Sequence, residues 1–210
     1  MLGSLIPSSR FLVNHLLAQV DWPRARVFLE YGPGVGTFTR EILRRMRPDA
    51  VLVAMETNGD FVQYLRRRVR DARLHVVHGS AAEADAALAN FELSRADYVI
   101  SGIPYTTMHP GVRDQILHKT RAVLDTDGAF LVYQFTRSVL PYLQQTFGFV
   151  HQDFEPLNVM PARLFYCRHH VDGALTGGNG RRANGSAPPR SRQLAVPDPT
   201  GNAKSPRSSG

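Results

Sequence analysis

The sequence predicts an α/β fold, namely a doubly wound, mostly parallel seven-stranded sheet that closes with an antiparallel pair of strands. Apolar runs alternate with amphipathic helical stretches at the spacing of βα units. The runs are apolar throughout, as in strands that are covered on both faces. The last two segments, "FGFVHQDFEPLN" and "ARLFYCRHH", follow one another without a helix between them, which favours an antiparallel pair.

The predicted elements follow the chain in order. A first helix is predicted within 8–20, where Ser8 or Ser9 can cap it after Pro7. Each later helix has apolar residues at helical spacing, which predicts one face turned toward the sheet. The predicted strands are "ARVFLEYG", "AVLVAMET", "RLHVVHG", "ADYVISG" and "GAFLVYQF", and the helices between them are "TFTREILRRM", "DFVQYLRRRVR", "AAEADAALAN" and "GVRDQILHKTRAVL".

Composition predicts one domain, residues 1–172, followed by a disordered basic tail, residues 173–210. The tail is rich in Gly, Ser, Pro and Arg and has no apolar period. It holds six basic residues and one acidic residue, so five of the seven net positive charges of the chain lie there. The charge therefore does not mark the domain as a nucleic-acid binder, although the tail can contact any anionic surface.

Targeting features are few. The sequence has no run of about eighteen apolar residues and no visible signal peptide, and its single cysteine, Cys167, cannot form an internal disulfide. These observations predict a cytoplasmic protein and leave open a peripheral contact with the inner face of the cell membrane. The apolar residues of the segment 1–17 suit either such an interfacial contact or packing over a ligand site.

Three glycines mark the candidate ligand site. Gly32, Gly34 and Gly36 follow the first predicted strand, at the carboxyl edge where open α/β sheets bind ligands. Glycine permits positive φ and lets a ligand lie against the main chain. A tight strand-to-helix turn with close packing is the structural alternative.

The residues around these glycines favour a cationic ligand. A dinucleotide fingerprint needs its third glycine where Thr37 stands. Glu30, at the end of the first strand, would face a pyrophosphate unfavourably and would suit a cation. S-adenosylmethionine carries a sulfonium and an ammonium without phosphate, and it is the predicted cofactor. Glu56 ends the second strand and can accept both ribose hydroxyls, unless it is only a solvated carboxylate.

Six stretches carry a family resemblance over about residues 3–170. "VFLEYGPGVGTFTREIL", "VLVAMETNGDF" and "ADYVISGIPY" resemble the first, second and fourth motifs of class I S-adenosylmethionine-dependent methyltransferases. "GSLIPSSRFL", "SGIPY" and "PARLFYCRH" resemble bacterial phospholipid N-methyltransferases, which methylate phosphatidylethanolamine toward phosphatidylcholine. The resemblance implies a Rossmann-like methyltransferase fold, with Glu30, Gly32, Gly34 and Gly36 along the methionine end of the cofactor and Glu56 at its ribose.

The third motif departs from the family. Relatives often have "G-D-A" after the third strand, with the Asp accepting from the adenine amino group. This chain has Ser80 at that position. Ser80 can accept a weaker hydrogen bond from the adenine, or it can simply cap the helix that follows.

The loop "SGIPY" is the predicted acceptor site. Adenine-N6 methyltransferases typically have Asn or Asp, one residue, Pro and an aromatic here, and Gly102 has no side chain to hold an adenine amine. The phospholipid enzymes resemble the loop more closely, and the predicted catalytic residues are Ser101, Pro104 and Tyr105. The Tyr105 ring could face an amine as it gains charge, or it could be a packed loop aromatic.

Three readings of function remain at this stage. Methylation of phosphatidylethanolamine-type phospholipids is preferred, and an rRNA adenine N6-dimethyltransferase is the alternative. A non-catalytic protein that only binds a partner is the third. Two further side chains at this edge each have two possible roles. His109 could accept a proton or cap a helix, and Arg137 could hold a lipid phosphate or lie in solvent.

Overall fold

The computed structural model describes residues 8–170, and they form a seven-stranded sheet with helices on both faces. The strands are β1 (Val27–Tyr31), β2 (Val51–Glu56), β3 (Leu74–His78), β4 (Ala96–Ser101), β5 (Leu124–Gln134), β6 (Phe149–Glu155) and β7 (Ala162–Arg168). The helices are α1 (Arg10–Leu17), α2 (Thr37–Arg45), α3 (Gly59–Arg68), α4 (Ala84–Ala89), α5 (Pro110–Val123) and α6 (Leu140–Thr146).

The strand order is β3-β2-β1-β4-β5-β7-β6. β1 to β5 pair in parallel, and β7 pairs antiparallel with both β5 and β6. The predicted fold class, including the antiparallel closing pair, is confirmed. The predicted disordered tail and the boundary at residue 172 lie outside the described residues, as do residues 1–7 of the predicted interfacial segment.

Two apolar layers bury the faces of the sheet, as the continuously apolar strands require. On one face α1 and α2 pack through Leu12, Leu16, Phe38 and Ile42. On the other face α4, α5 and α6 pack on the remaining inward strand residues. Among the described residues no helix has the length and apolar character needed to cross a membrane.

Helix α1 is fixed at both ends. Ser9 caps it, since its hydroxyl accepts from the Leu12 amide at 3.2 Å, as predicted. The Ser9 amide also donates to the Asn158 side chain at 2.8 Å, which ties the helix to the loop between β6 and β7. The buried face of the helix consists of Leu12, Val13, Leu16 and Leu17, whereas Phe11 is 43% exposed.

A histidine between two carboxylates fastens α1 to the edge strand β6. The two ring nitrogens of His15 lie 2.9 Å from carboxylate oxygens of Glu155 and Asp153. Burial lowers the pKa of His15, but the hydrogen bonds that its ring donates to these carboxylates, together with their charge, outweigh it, so the pKa of His15 is raised above 6.5. The charged imidazole is therefore the form that holds the helix in place.

Stability is expected to depend on pH through His15. Because the pKa of His15 is raised in the folded chain, its contribution is complete below pH 6.5 and is lost as the pH rises through the folded value. The pair is partly exposed, so the loss should be below about 1 kcal/mol. Urea unfolding at pH 6 and pH 8 measures it, with His15→Gln as the control. If the free energies of unfolding of the wild type and His15→Gln differ by the same amount at both pH values, the assignment is contradicted.

Helix α6 was not predicted from the sequence. It is only seven residues long, has Pro141 in its first turn and buries Leu143 and Thr146. Pro in the first turn is compatible with a helix, because the missing amide there has no helical partner. The helix follows the end of β5, and its register toward the sheet is set by Leu143 and the neighbouring Val139 and Phe147.

Candidate functional site

The glycine loop is a left-handed turn between β1 and α2. Gly32, Gly34 and Gly36 have φ of 68°, 54° and 79°, a region that side chains rarely adopt. A Cβ on Gly32 would lie 2.6 Å from the Ile103 side chain, and one on Gly36 would lie 2.7 Å from Leu65. Positive φ therefore favours glycine at all three positions, and at Gly32 and Gly36 an added Cβ would also displace a neighbouring side chain. Their predicted contact with the cofactor stays a prediction.

Glu30 is a buried carboxyl beneath this loop. Its side chain is 3% exposed and accepts from the Thr39 hydroxyl at 2.7 Å. Burial raises the pKa of Glu30 to about 7, against the hydrogen bonds from Thr39, and the nearby charge of Glu56 raises it further. A cation at this place would pair with the carboxylate and offset its burial.

Glu56 lies at the end of β2, next to the glycine loop. Its carboxylate accepts from the Gly34 amide at 3.2 Å and from the Asn58 amide at 2.9 Å, and the residue is 8% exposed. The carboxylate is thus held in place at the carboxyl edge rather than solvated at random. A carboxylate has acceptor sites beyond the two that these amides use, so Glu56 can still accept from the ribose hydroxyls as predicted.

Replacement of Glu56 by alanine should weaken cofactor binding. The substitution leaves two ribose hydroxyls unpaired, so affinity should fall roughly ten- to hundredfold with the fold retained. Calorimetric titration with S-adenosylmethionine measures the change. Asp49→Ala is the matched control, because Asp49 is an exposed acid paired only with Arg47. Unchanged affinity in folded Glu56→Ala would refute the ribose assignment.

Ser80 caps the helical turn that follows β3. Its hydroxyl accepts from the Ala82 amide at 3.2 Å, and its own amide faces a Glu83 carboxylate oxygen in a capping box. The capping interpretation offered by the sequence thus describes the observed side chain. Contact of Ser80 with adenine stays a prediction.

Tyr105 lies inside the protein. It is fully buried, its ring meets Phe130 edge to face at 6.4 Å between centroids, and its hydroxyl lies 2.9 Å from the Ser101 hydroxyl. Burial raises the pKa of Tyr105, so it is a neutral phenol. In this position the ring packs in the core, and its predicted contact with an amine would require the turn of Pro104 to move.

Tyr133 occupies the position that Gly102 leaves free. A Cβ on Gly102 would lie 2.1 Å from the Tyr133 hydroxyl oxygen, and the Tyr133 ring stacks on Phe38 at 5.1 Å between centroids. Burial raises the pKa of Tyr133, the nearby charge of Glu30 adds to the rise, and the Ser8 side chain acts against it. An aromatic wall therefore stands beside the buried carboxyl.

The sequence analysis gave Tyr133 no role, because its importance depends on register. Ser101 pairs with Val132, so Tyr133 lies on β5 at the level where Gly102 follows β4. Gln134 donates to the Ile103 carbonyl at 2.8 Å and fixes the same loop. The alternation of Leu131 and Tyr133 on one face of β5 was the available signal.

Two other predicted side chains have simpler positions. His109 caps α5, since its Nδ1 accepts from the Gly111 amide at 3.3 Å, which is the alternative that the sequence left open. Arg137 is exposed beyond β5.

Comparison with known proteins decides the family. Residues 28–128 match the family model described as a methyltransferase domain. An ornithine lipid N-methyltransferase of Singulisphaera acidiphila is 31% identical over 173 residues, which cover 80% of this chain and 88% of that protein. This chain belongs to the class I S-adenosylmethionine-dependent methyltransferases. The predicted family and cofactor are thereby confirmed.

Other known proteins share the fold or part of the sequence. Ribosomal RNA small subunit methyltransferase A of Mycoplasma capricolum is 28% identical over 118 residues, 54% of this chain and 40% of that protein. Human methyltransferase-like protein 13, solved in complex with SAH, superposes with a TM-score of 0.59 at 17% identity and covers 77% of this chain and 81% of its own. A precorrin-8w decarboxylase from Methanobacterium thermoautotrophicum gives the same TM-score, 0.59, at 17% identity, covering 77% of this chain and 91% of that one.

The residues of this methyltransferase site fit S-adenosylmethionine. Glu30 is a buried acid whose pKa burial raises to about 7, and either cation of the cofactor beside it would favour its ionised form. Gly32, Gly34 and Gly36 form the turn that follows β1, the strand on which this acid lies. Glu30 and the glycines would hold the methionine end and Glu56 the ribose.

Proposed function

We propose that this methyltransferase methylates the amine nitrogen of a membrane lipid, with phosphatidylethanolamine-type phospholipids as the first candidate. The observation that carries the proposal is the pairing of Gly102 with Tyr133. An aromatic ring, rather than an Asn or Asp side chain, stands beside Gly102 and near the buried acid Glu30, where we propose that the acceptor amine binds. An aromatic face suits an amine that becomes a cation during transfer.

Methyl transfer from S-adenosylmethionine to an amine requires the protein mainly to position the two reactants. The bound cofactor supplies a methyl group on a sulfonium, which is an excellent leaving group. The amine must lose its proton to water before it attacks, because only its lone pair can form the new N–C bond as the S–C bond breaks. Tyr105 and Tyr133 are neutral phenols with raised pKa values, so neither is a strong base. In this proposal Tyr133 orients the amine, whereas Tyr105 packs in the core behind it.

Three observations favour a lipid over an RNA base. The relative that matches nearly its whole length is named for an ornithine lipid, whereas the chain spans only 40% of the Mycoplasma rRNA enzymes it resembles. Gly102 offers no side-chain acceptor to an adenine amine. A larger side chain at Gly102 would also collide with Tyr133.

A panel of vesicles tests the proposal. Transfer of labelled methyl from S-adenosylmethionine is measured with vesicles that contain phosphatidylethanolamine, ornithine lipid or phosphatidylcholine alone. We expect incorporation with one or both amine lipids and none with phosphatidylcholine, whose nitrogen is already fully methylated. Absence of incorporation into every amine lipid, by protein that binds the cofactor, would overturn the proposal.

A further inference from the structure

Six large apolar side chains are exposed around one corner of the sheet. We name Phe11, Phe135, Phe154, Leu157, Val159 and Met160 the apolar rim, and they are between 40% and 72% exposed. Within residues 8–170 only Tyr64 and Val112 join them as exposed large hydrophobic residues. Exposed apolar groups concentrated in one place mark an interaction surface rather than chance exposure.

The rim lies at the carboxyl edge of the sheet. β7 begins where β5 ends, since Arg163 pairs with Gln134, and the loop 156–161 between β6 and β7 projects from that edge. Ser9 joins α1 to this loop through hydrogen bonds to the Leu157 carbonyl at 2.7 Å and the Asn158 side chain. The rim therefore borders the acceptor side of the site, where Tyr133 is found.

Arginines accompany the apolar groups. The guanidinium of Arg10 lies 5.1 Å from the ring centroid of Phe11, and that of Arg163 lies 4.4 Å from the ring centroid of Phe154. In the part of the chain that the structure describes, neither arginine forms an ion pair, although eight ion pairs are found elsewhere in it. Cations next to exposed apolar side chains match an interface that is anionic outside and apolar within.

Other occupants fit the rim less well. A second copy in a symmetric dimer would bring Arg10 and Arg163 of both copies to one interface, where they repel. Leu157, Val159 and Met160 at the tip are aliphatic and offer no stacking face to RNA bases. A lipid surface satisfies both the aliphatic tip and the cations.

We propose that the apolar rim inserts into the headgroup–acyl boundary of an anionic membrane and thereby opens the acceptor side of the site to lipids that remain in the bilayer. The inference rests on the proposed function, which requires access to a lipid headgroup. Insertion from this edge removes the need to extract the lipid, because the loop 156–161 and Tyr133 lie at the same edge of the sheet. The tip residues supply apolar contact, and Arg10 and Arg163 meet lipid phosphates.

Vesicle flotation tests the contact. The triple variant Leu157→Ser/Val159→Ser/Met160→Ser should bind vesicles of phosphatidylglycerol and phosphatidylethanolamine at least about tenfold more weakly, because each substitution removes apolar area from the buried interface. Tyr64→Ser, an exposed apolar residue on α3, is the matched control and should bind as the wild type does. Arg10→Gln/Arg163→Gln should weaken binding mainly at low salt.

A second measurement tests the insertion even if the triple variant fails to fold. Val159 is the most exposed residue of the rim, at 72%, so Val159→Trp should be tolerated. Its fluorescence emission should shift to the blue when anionic vesicles are added, beyond any change from Trp22 in the wild type. No additional shift would overturn the proposed insertion.

The outcomes separate docking from catalysis. Vesicle binding that depends on the rim, without lipid methylation, would support docking and contradict the proposed function. Lipid methylation by a triple variant that binds vesicles as tightly as the wild type would support the function and overturn docking through the rim. If the wild type dimerises with rising concentration and the triple variant stays monomeric, the rim is a dimer interface instead. If the wild type binds RNA and the triple variant does not, the rim is an RNA-binding surface.

Discussion

Replacing Glu30 by glutamine is expected to weaken S-adenosylmethionine binding at pH 8 by at least about tenfold while leaving the folded protein as stable as the wild type or more stable. The amide keeps an acceptor for the Thr39 hydroxyl, which lies 2.7 Å from the carboxylate, but removes the negative charge that pairs with the cofactor. Calorimetric titration and urea unfolding on the same preparations measure both effects.

The pH dependence of this carboxyl follows from its raised pKa. Burial raises the pKa of Glu30 from 4.5 to about 7, so the folded chain holds a proton there that the unfolded chain has lost. Stability therefore falls as pH rises from 4.5 through 7, by roughly 3 kcal/mol in total. In Glu30→Gln the free energy of unfolding should lack this decrease between pH 4.5 and 7.

Cofactor binding should release that proton. At pH 6.5 the Glu30 carboxyl is mostly protonated, and a cationic ligand favours its ionised form, so binding should release more than about half a proton. Titrations in phosphate and in imidazole buffer give the number, because the two buffers differ in ionisation enthalpy. Glu30→Gln supplies the baseline for protons that the cofactor itself exchanges. Equal proton release by the wild type and the variant would show that Glu30 does not face the cofactor.

Gly102→Ala is expected to lower methyl transfer by at least about tenfold, with cofactor affinity retained. The added Cβ would lie 2.1 Å from the Tyr133 hydroxyl oxygen and 2.2 Å from the adjoining ring carbon, so the ring must move. Its stacking on Phe38 opposes that movement. The acceptor wall would then shift by more than the site tolerates. Transfer to amine-lipid vesicles measures the loss, and Gly111→Ala, at the first turn of α5, is the control.

A double-mutant cycle isolates the contact. If Gly102 is required because of Tyr133, then Gly102→Ala should cost stability in the wild type and little in a Tyr133→Ala background. Urea unfolding of the four proteins gives the coupling. If Gly102→Ala lowers the free energy of unfolding equally in both backgrounds, glycine is required at position 102 for a reason other than Tyr133, and the contact does not shape the acceptor site.

The fold could be predicted almost completely because its strands are continuous apolar runs. "AVLVAMET" and "ADYVISG" cannot be half-exposed strands, and their spacing leaves room only for crossover helices. The insertion of β7 between β5 and β6 could not be predicted, since register along an edge is a long-range property. Helix α6 was missed because seven residues with a proline in the first turn give little periodic signal.

The candidate site could be predicted only in its local parts. The acids Glu30 and Glu56 lie at the carboxyl ends of β1 and β2, and the glycines follow β1, so their neighbourhood is fixed by topology. The acceptor wall is different, because Tyr133 meets Gly102 through the pairing of β4 with β5. The burial of Tyr105 against Phe130 likewise depends on how a loop folds back on the sheet, which no local pattern encodes.

A competition assay is the most direct test of the acceptor. The wild-type protein is incubated with labelled S-adenosylmethionine, vesicles that contain phosphatidylethanolamine and ornithine lipid, and unmethylated small-subunit rRNA in one reaction. The lipid and RNA fractions are then separated, and lipid nitrogens are examined by mass spectrometry. We expect the label on the amine nitrogen of the lipid and none above background in the RNA. Label in adenine bases, with none in either lipid, would contradict the proposal that this methyltransferase acts on lipid amines.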